Sequence, residues 1–258
     1  MHHGGRFTPS GDPGGPSDSI QLPLANRDGL DSATRSADDQ LLEKGLLAPE
    51  EVPLDKASTV ARVVELRIAI AVFEDVEELD FAGPWEVLTA WRDLRADDVE
   101  VVLVGENTDP VACAKGLRVV PDVSWSDLGH VDVLVYPGGR GTRGQVGNET
   151  IRGRLRALKE RGTLMTSVCT GALVYADAGL LDGRPATTYW RAFEELLPLG
   201  QNIEPQPDRR FVDDGEVVTA AGVSAGIDMA LHLVGRLDSP DRAREVRRYI
   251  QYDPQPPY

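Results

Sequence analysis

Cysteine and histidine are scarce in this chain, and their scarcity narrows its chemistry. The two cysteines, Cys113 and Cys169, are too few for a disulfide framework in a chain of 258 residues. Of the four histidines, His2 and His3 sit at the very start, His130 precedes an apolar run and His232 falls in an amphipathic one. None occupies an obvious base position, so a Cys-His-Asp triad is not expected. Clustered metal ligands are also missing, so no metal is expected. Cations are in deficit: 27 Lys and Arg stand against 42 Asp and Glu, a net charge of −15. Such a chain has no electrostatic reason to bind nucleic acid or an anionic membrane, and the charge is read as serving solubility. No apolar run is long enough to span a bilayer. Ile20-Gln21-Leu22-Pro23-Leu24-Ala25 is too short and too interrupted for a signal-peptide core. The expectation is a cytoplasmic protein with reduced thiols.

The first stretch differs from the rest. Residues 1 to about 54 open on His2-His3-Gly4-Gly5 and run through Thr8-Pro9-Ser10-Gly11-Asp12-Pro13-Gly14-Gly15-Pro16-Ser17. That composition cannot bury a core, so residues 1–62 are expected to form a mostly disordered N-terminal extension, with room for a short amphipathic helix over 37–47. Residues 63–258 carry the pattern of one α/β domain. Strand runs over 64–72, 99–104, 131–136 and 164–168 alternate with helical patterns over 84–94, 149–160 and 170–178. Residues 111–120 read as a hairpin around Lys115-Gly116, and 190–197 as a short helix. A second hairpin joins 210–212 to 217–219 through Asp213-Asp214-Gly215, and helices over 224–237 and 241–252 close the chain. Most strand runs lack polar alternation, which predicts a mostly parallel sheet with helices on both faces. Ligands of such sheets sit beyond the carboxyl ends of the strands, where Cys169, Gly138-Gly139 and the Asp80 segment all fall.

Cys169 is the residue this pattern singles out. A short apolar run ending at Val168 precedes it, and an Ala- and Leu-rich helix follows. A thiol in that turn lies at a helix N-terminus, where amides and the helix dipole favour negative charge. Its pKa is expected to be lowered, leaving it partly thiolate near neutrality. The arrangement is a nucleophile elbow with sulfur in place of the serine oxygen. Asp80, in Glu77-Glu78-Leu79-Asp80-Phe81-Ala82-Gly83-Pro84-Trp85, has two even readings. With Pro84 near the first helical position, it is a carboxylate close to a helix start. It is equally a carboxyl beside Cys169, desolvated by Phe81 and Trp85 and sharing a proton as general acid and base.

Gly139-Arg140-Gly141-Thr142-Arg143-Gly144 matches G-x-G-x-x-G after a strand. The glycines do not open the helix, which starts at about Asn148, and the next strand ends at Cys169 rather than at a ribose-binding acid. The segment is read instead as a loop approaching a ligand, or as a plain turn over 140–144, with Gly138 and Gly139 favoured as oxyanion donors. In Ala186-Thr187-Thr188-Tyr189-Trp190-Arg191, Thr187 and Tyr189 offer hydroxyls and Trp190 a wall; the run is equally a loop leading into a helix. Cys113 and His232 are read as structural.

Several segments occur together in order: Leu79-Asp80-Phe81-Ala82-Gly83-Pro84, Tyr136-Pro137-Gly138-Gly139, Thr166-Ser167-Val168-Cys169-Thr170-Gly171-Ala172, Ala176-Asp177-Ala178-Gly179-Leu180-Leu181-Asp182-Gly183, Ala186-Thr187-Thr188-Tyr189-Trp190, Gly222-Val223-Ser224-Ala225-Gly226-Ile227-Asp228 and the end from Gln251 to Tyr258. With them the chain resembles the isonitrile hydratase-like group of the ThiJ/PfpI superfamily, from about Leu66 to the C-terminus. The resemblance implies a flavodoxin-like sandwich, a homodimer and a small-molecule substrate, with no cofactor. It makes Cys169 the nucleophile, Asp80 the acid/base and Thr170 a neighbouring hydrogen-bonding group. Gly138, Gly139, Gly171, Thr187, Tyr189 and Trp190 then surround an oxyanion or substrate. The implied reaction hydrates an isonitrile to an N-substituted formamide. Tyr189 stands where compared hydratases carry His, which bears on substrate preference. Thr170 stands where proteases of the superfamily place His, which argues against peptidase chemistry. With the chain ending at Tyr258, no DNA-binding module like that of some relatives is expected. The alternatives are a glyoxalase- or deglycase-like enzyme acting on α-oxoaldehydes, and a redox-sensing or stress protein in which Cys169 oxidises reversibly.

Overall fold

The computed structural model describes residues 66–95 and 98–255. The expected extension over 1–62, its helix over 37–47 and the last three residues of the chain lie outside them. The strands are β1 (Leu66–Ala71), β2 (Val99–Gly105), β3 (Val111–Ala112), β4 (Arg118–Val119), β5 (Val123–Ser124), β6 (Val133–Tyr136), β7 (Leu164–Val168), β8 (Pro185–Ala186), β9 (Glu204–Pro205), β10 (Phe211–Asp213) and β11 (Val217–Ala220). The helices are α1 (Glu78–Arg95), α2 (Glu149–Glu160), α3 (Gly171–Asp177), α4 (Phe193–Leu196), α5 (Ala225–Leu237) and α6 (Pro240–Tyr249).

Seven strands form the central sheet in the order β10-β11-β7-β6-β1-β2-β5. Every pairing in it is parallel except that of β10 with β11. The continuous apolar runs follow from burial on both faces. In β1, Ile68 and Ile70 enter one apolar layer while Ala69 and Ala71 enter the other. The first layer packs α1, α5 and α6 through Val87, Leu88, Trp91, Met229, Leu233 and Val246. The second packs α2, α3 and α4 through Leu155, Leu158, Leu173, Tyr175 and Leu196. Two helices open on side-chain caps. Asn148 Oδ1 accepts from the Thr150 and Ile151 amides at 3.0 and 3.3 Å, and Ser239 Oγ accepts from the Arg242 amide at 3.2 Å.

Two expectations need correction. α1 begins at Glu78, not near Pro84, so Asp80 lies in its first turn and Pro84 inside it. Pro84 lacks only the N–H that would bond the Asp80 carbonyl, and its ring is accommodated beside Gly226, where an added Cβ would lie 3.2 Å from Pro84 Cγ. The short helix expected over 190–197 starts at Phe193 and runs on as a 3-10 turn over Leu197–Leu199. The strands β5, β8 and β9, two residues each, were not expected. Among the described residues no helix is long and apolar enough to cross a membrane.

Candidate active site

Four loops meet beyond the carboxyl ends of the adjacent strands β11, β7, β6 and β1. The β1 and β6 loops are stitched together first. The Glu77 amide donates to the Gly138 carbonyl at 3.0 Å and the Gly141 amide to that of Asp75 at 3.2 Å, around a bridge between Val76 and Gly139. Gly139 has φ +125°, and a Cβ there would lie 2.3 Å from the Asp75 carbonyl oxygen, so only glycine permits this approach. The stitch carries Asp80 under the β6 loop, where its Oδ2 accepts the Gly138 amide at 2.9 Å.

Cys169 stands at the end of β7 with φ +57°, the left-handed geometry of a strained elbow. Its amide donates to the carbonyls of Ala220 and Ala221 at 3.1 and 2.9 Å, and its carbonyl accepts from Thr188 Oγ1 at 2.8 Å. Gly171 lets α3 start against β6, since a Cβ there would sit 2.2 Å from the Tyr136 carbonyl oxygen. The thiol faces the fully buried Asp80 carboxyl closely enough for each to shift the other's proton affinity. Burial pushes Asp80 up to about 7, against the lowering pull of the Gly138 amide, the Cys169 thiol and the Val223 amide. Burial first, and then the charge of Asp80, push the Cys169 thiol up to about 12, although the amides of Thr170 and Val223 act the other way. The expected lowered pKa and resting thiolate are therefore corrected. Desolvation and a neighbouring carboxylate outweigh the helix-end amides, and the pair rests with its proton on sulfur.

The sequence-predicted residues divide. Cys169, Thr170, Gly139 and Tyr189 line one cavity of about 350 Å³, together with Glu77, Lys115, Arg140, Arg143 and Val223. Asp80 lies beneath Cys169, fully buried. The oxyanion role expected of Gly138 and Gly139 does not fit, because both amides are already engaged, by Asp80 Oδ2 and by Thr170 Oγ1 at 3.0 Å. Gly171 is a packing glycine. Thr187 is buried, with its amide on Thr219 Oγ1 at 2.9 Å. Trp190 is 65% exposed and lies tilted against the Tyr189 ring, with centroids 5.9 Å apart, outside the cavity wall. Cys113 is buried in the β3–β4 hairpin, where burial, with Glu78 and Glu74, pushes its thiol up to about 11. His232 bonds Asp213 Oδ2 at 2.7 Å, away from this cavity. The segment over 140–144 forms a 3-10 turn, and α2 begins only at Glu149. Among the described residues no group of three His, Cys, Asp or Glu side chains could hold a metal ion.

Known proteins share this fold. A model of the DJ-1/PfpI family matches residues 66–236. The chain belongs to the DJ-1/PfpI family. An isonitrile hydratase of Pseudomonas putida is 38% identical to it over 193 residues, 75% of this chain and 81% of that protein. The glutathione-independent glyoxalase DJR-1.2 of Caenorhabditis elegans is 27% identical over 175 residues, 67% of this chain and 89% of that protein. Among solved structures, a ThiJ/PfpI family protein from Pseudomonas syringae matches with a TM-score of 0.68 at 28% identity, covering 81% of this chain and 85% of that one.

Several site residues of this DJ-1/PfpI domain escaped sequence reasoning: Glu77, Lys115 and Arg140 of the cavity wall, and three more besides. Val223 holds φ +50°, rare for a β-branched residue, and turns its amide toward both Asp80 and Cys169. Nothing in the run Gly222-Val223-Ser224 marks that strain. Thr188 ties down the Cys169 carbonyl, although attention fell on its neighbours Thr187 and Tyr189. Arg143 reaches the cavity wall from the glycine turn, with Nε and Nη2 on Glu195 at 3.0 and 2.8 Å. Its pKa is raised chiefly by that bond to Glu195, with Cys169 adding a smaller share.

Proposed function

We propose that this DJ-1/PfpI protein hydrates an isonitrile to an N-substituted formamide, with Cys169 as nucleophile and Asp80 as general acid and base. The observation that carries the reading is the pairing of a protonated elbow thiol with a buried carboxyl pushed up to about 7, beside a cavity of about 350 Å³. A group near pH 7 is suited to taking and returning one proton. Asp80 accepts the thiol proton as Sγ bonds to the terminal isonitrile carbon, and returns that proton to the same carbon, leaving a thioimidate. Asp80, again a carboxylate, takes a proton from water as the water oxygen adds to this carbon, and passes it to nitrogen. The carbon–sulfur bond then breaks, the hydroxyl proton returns by way of Asp80 to sulfur, and the formamide leaves. One isonitrile and one water give one formamide. The 38% identity to an isonitrile hydratase supports the substrate class.

The second reading, turnover of α-oxoaldehydes by the same pair, is favoured by the 27% identity to a glyoxalase. Redox sensing fits less well, because oxidation to a sulfenic acid follows thiolate character and this thiol is held protonated. The test is formamide release from an alkyl isonitrile by wild type, Cys169→Ala and Asp80→Asn. Turnover by wild type that is lost in both folded variants supports the mechanism. A folded wild type that releases no formamide, but consumes methylglyoxal, replaces it with the second reading.

A further inference from the structure

The mouth of the Cys169 cavity runs against the charge of the chain. The protein carries −15, yet Lys115, Arg140 and Arg143 line this cavity against the single carboxylate of Glu77. The cations come from two separate segments, the β3–β4 hairpin and the 3-10 turn after β6. The carboxylates that steady the two arginines stand outside the wall. Arg140 Nη2 bonds Asp75 Oδ1 at 3.0 Å and the Ala114 carbonyl at 2.7 Å, which leaves its Nη1 and Nε groups uncommitted. Arg143 spends three of its five N–H groups: two on Glu195, and Nη1 on the Gly139 carbonyl at 3.2 Å. Lys115 Nζ contacts Glu77 Oε1. The two arginine pairs are well exposed, with side-chain exposures of 72% and 53% in one and 45% in each partner of the other. Exposed pairs of this kind are weak, so an arriving carboxylate competes for the guanidinium groups on even terms. The cationic side chains line the space that a substrate must cross.

We propose that this mouth is an anion subsite, and that the substrate attacked by Cys169 carries a carboxylate a few bonds from its electrophilic carbon. Resting on the hydratase reading above, that substrate is an isocyano carboxylate, an amino acid whose amine has become an isonitrile. Its hydration product is the N-formyl amino acid. Arg143 and Arg140 hold the carboxylate, and Lys115 adds charge at the rim.

Two measurements test this, and they fail separately. Iodoacetate and iodoacetamide displace iodide in the same way but differ by one negative charge. The ratio of their alkylation rates at Cys169 of the full chain, divided by the same ratio for 2-mercaptoethanol, isolates the mouth. Peptide mapping, with Cys169→Ala as control, assigns the signal. Wild type is expected to favour iodoacetate by about 5- to 10-fold in this normalised ratio at low ionic strength. The preference should collapse toward unity in Arg140→Gln/Arg143→Gln, and in wild type at about 0.5 M salt. A normalised ratio at or below unity in wild type, or one unchanged in the double variant, overturns the subsite. In parallel, kcat/KM is compared for isocyanoacetate and its methyl ester. No turnover of either, with the alkylation preference intact, removes the hydratase reading and supports the subsite. Turnover of both without preference for the acid, and without the alkylation preference, removes the subsite and keeps the hydratase reading.

Discussion

Asp80 is a residue at which this fold gives up stability as pH rises. Its carboxyl ionises near 3.8 in an unfolded chain and near 7 in the folded protein, because burial disfavours the charge. Below pH 3.8 both states hold the proton, and folding carries no penalty from it. As pH rises from there, the unfolded chain releases the proton and the folded one does not, so stability falls until pH passes about 7 and then levels off. The full difference approaches about 4 kcal/mol. Asp80→Asn keeps an oxygen that can accept the Gly138 amide and never ionises. We expect it to raise Tm at pH 8, to lose that gain by about pH 4, and to lower formamide release by about 100-fold or more. Thermal melts across that pH range, run beside the activity assay, check both effects. An Asn variant that melts below wild type at pH 8 would mean that the carboxylate is stabilised where it sits.

At the scale of elements, two glycines separate what a helix needs from what a joint needs. Gly171 begins α3 against β6, and a Cβ there would meet the Tyr136 and Pro137 carbonyl oxygens at 2.2 and 2.8 Å. Gly153 lies within α2 with nothing within 4 Å of an added Cβ. Gly153→Ala should therefore gain about 1 kcal/mol from helix propensity. Gly171→Ala should lose about 3 kcal/mol or more, or fail to accumulate, since backbone rather than a flexible side chain blocks it. Urea midpoints of the two variants check this, and a Gly171→Ala midpoint equal to wild type would show that α3 is free to shift. The elements most legible in the sequence were those buried on both faces, β1, β2, β6 and β7, and those with caps, such as α2. Strands of two residues carry no periodicity to read. Pro84 hid the true start of α1, because a proline that lacks a single hydrogen bond looks the same in sequence as one that ends a helix.

For the molecule as a whole, the nearness of Cys169 and Asp80 was open to a reading of the sequence and their protonation was not. Cys169 stood out by its strand–turn–helix setting, whereas Asp80 had two even readings until the resemblance favoured one. The state of the pair depends on burial built by four loops that are distant in the chain, with amides from Gly138, Thr170 and Val223 competing against desolvation. No local pattern carries that sum. The same holds for the glycine amides, whose occupancy by Asp80 and Thr170 exists only once β1, β6 and β7 lie side by side.

The bonds from the Cys169 amide to Ala220 and Ala221 have a further consequence for motion. They tie the Cys169 backbone to the end of the neighbouring strand rather than to its own turn. Deuterium can reach that amide only when β7 and β11 part, and with β10 flanking the pair on one side and β6 on the other that parting is expected to need global opening. Hydrogen exchange at Cys169 should therefore be among the slowest in the chain and should quicken with denaturant at the slope of complete unfolding. Alkylation of the thiol, by contrast, should proceed from the native state and ignore mild denaturant. A reacting sulfur would then be carried by one of the least mobile peptide groups in the protein.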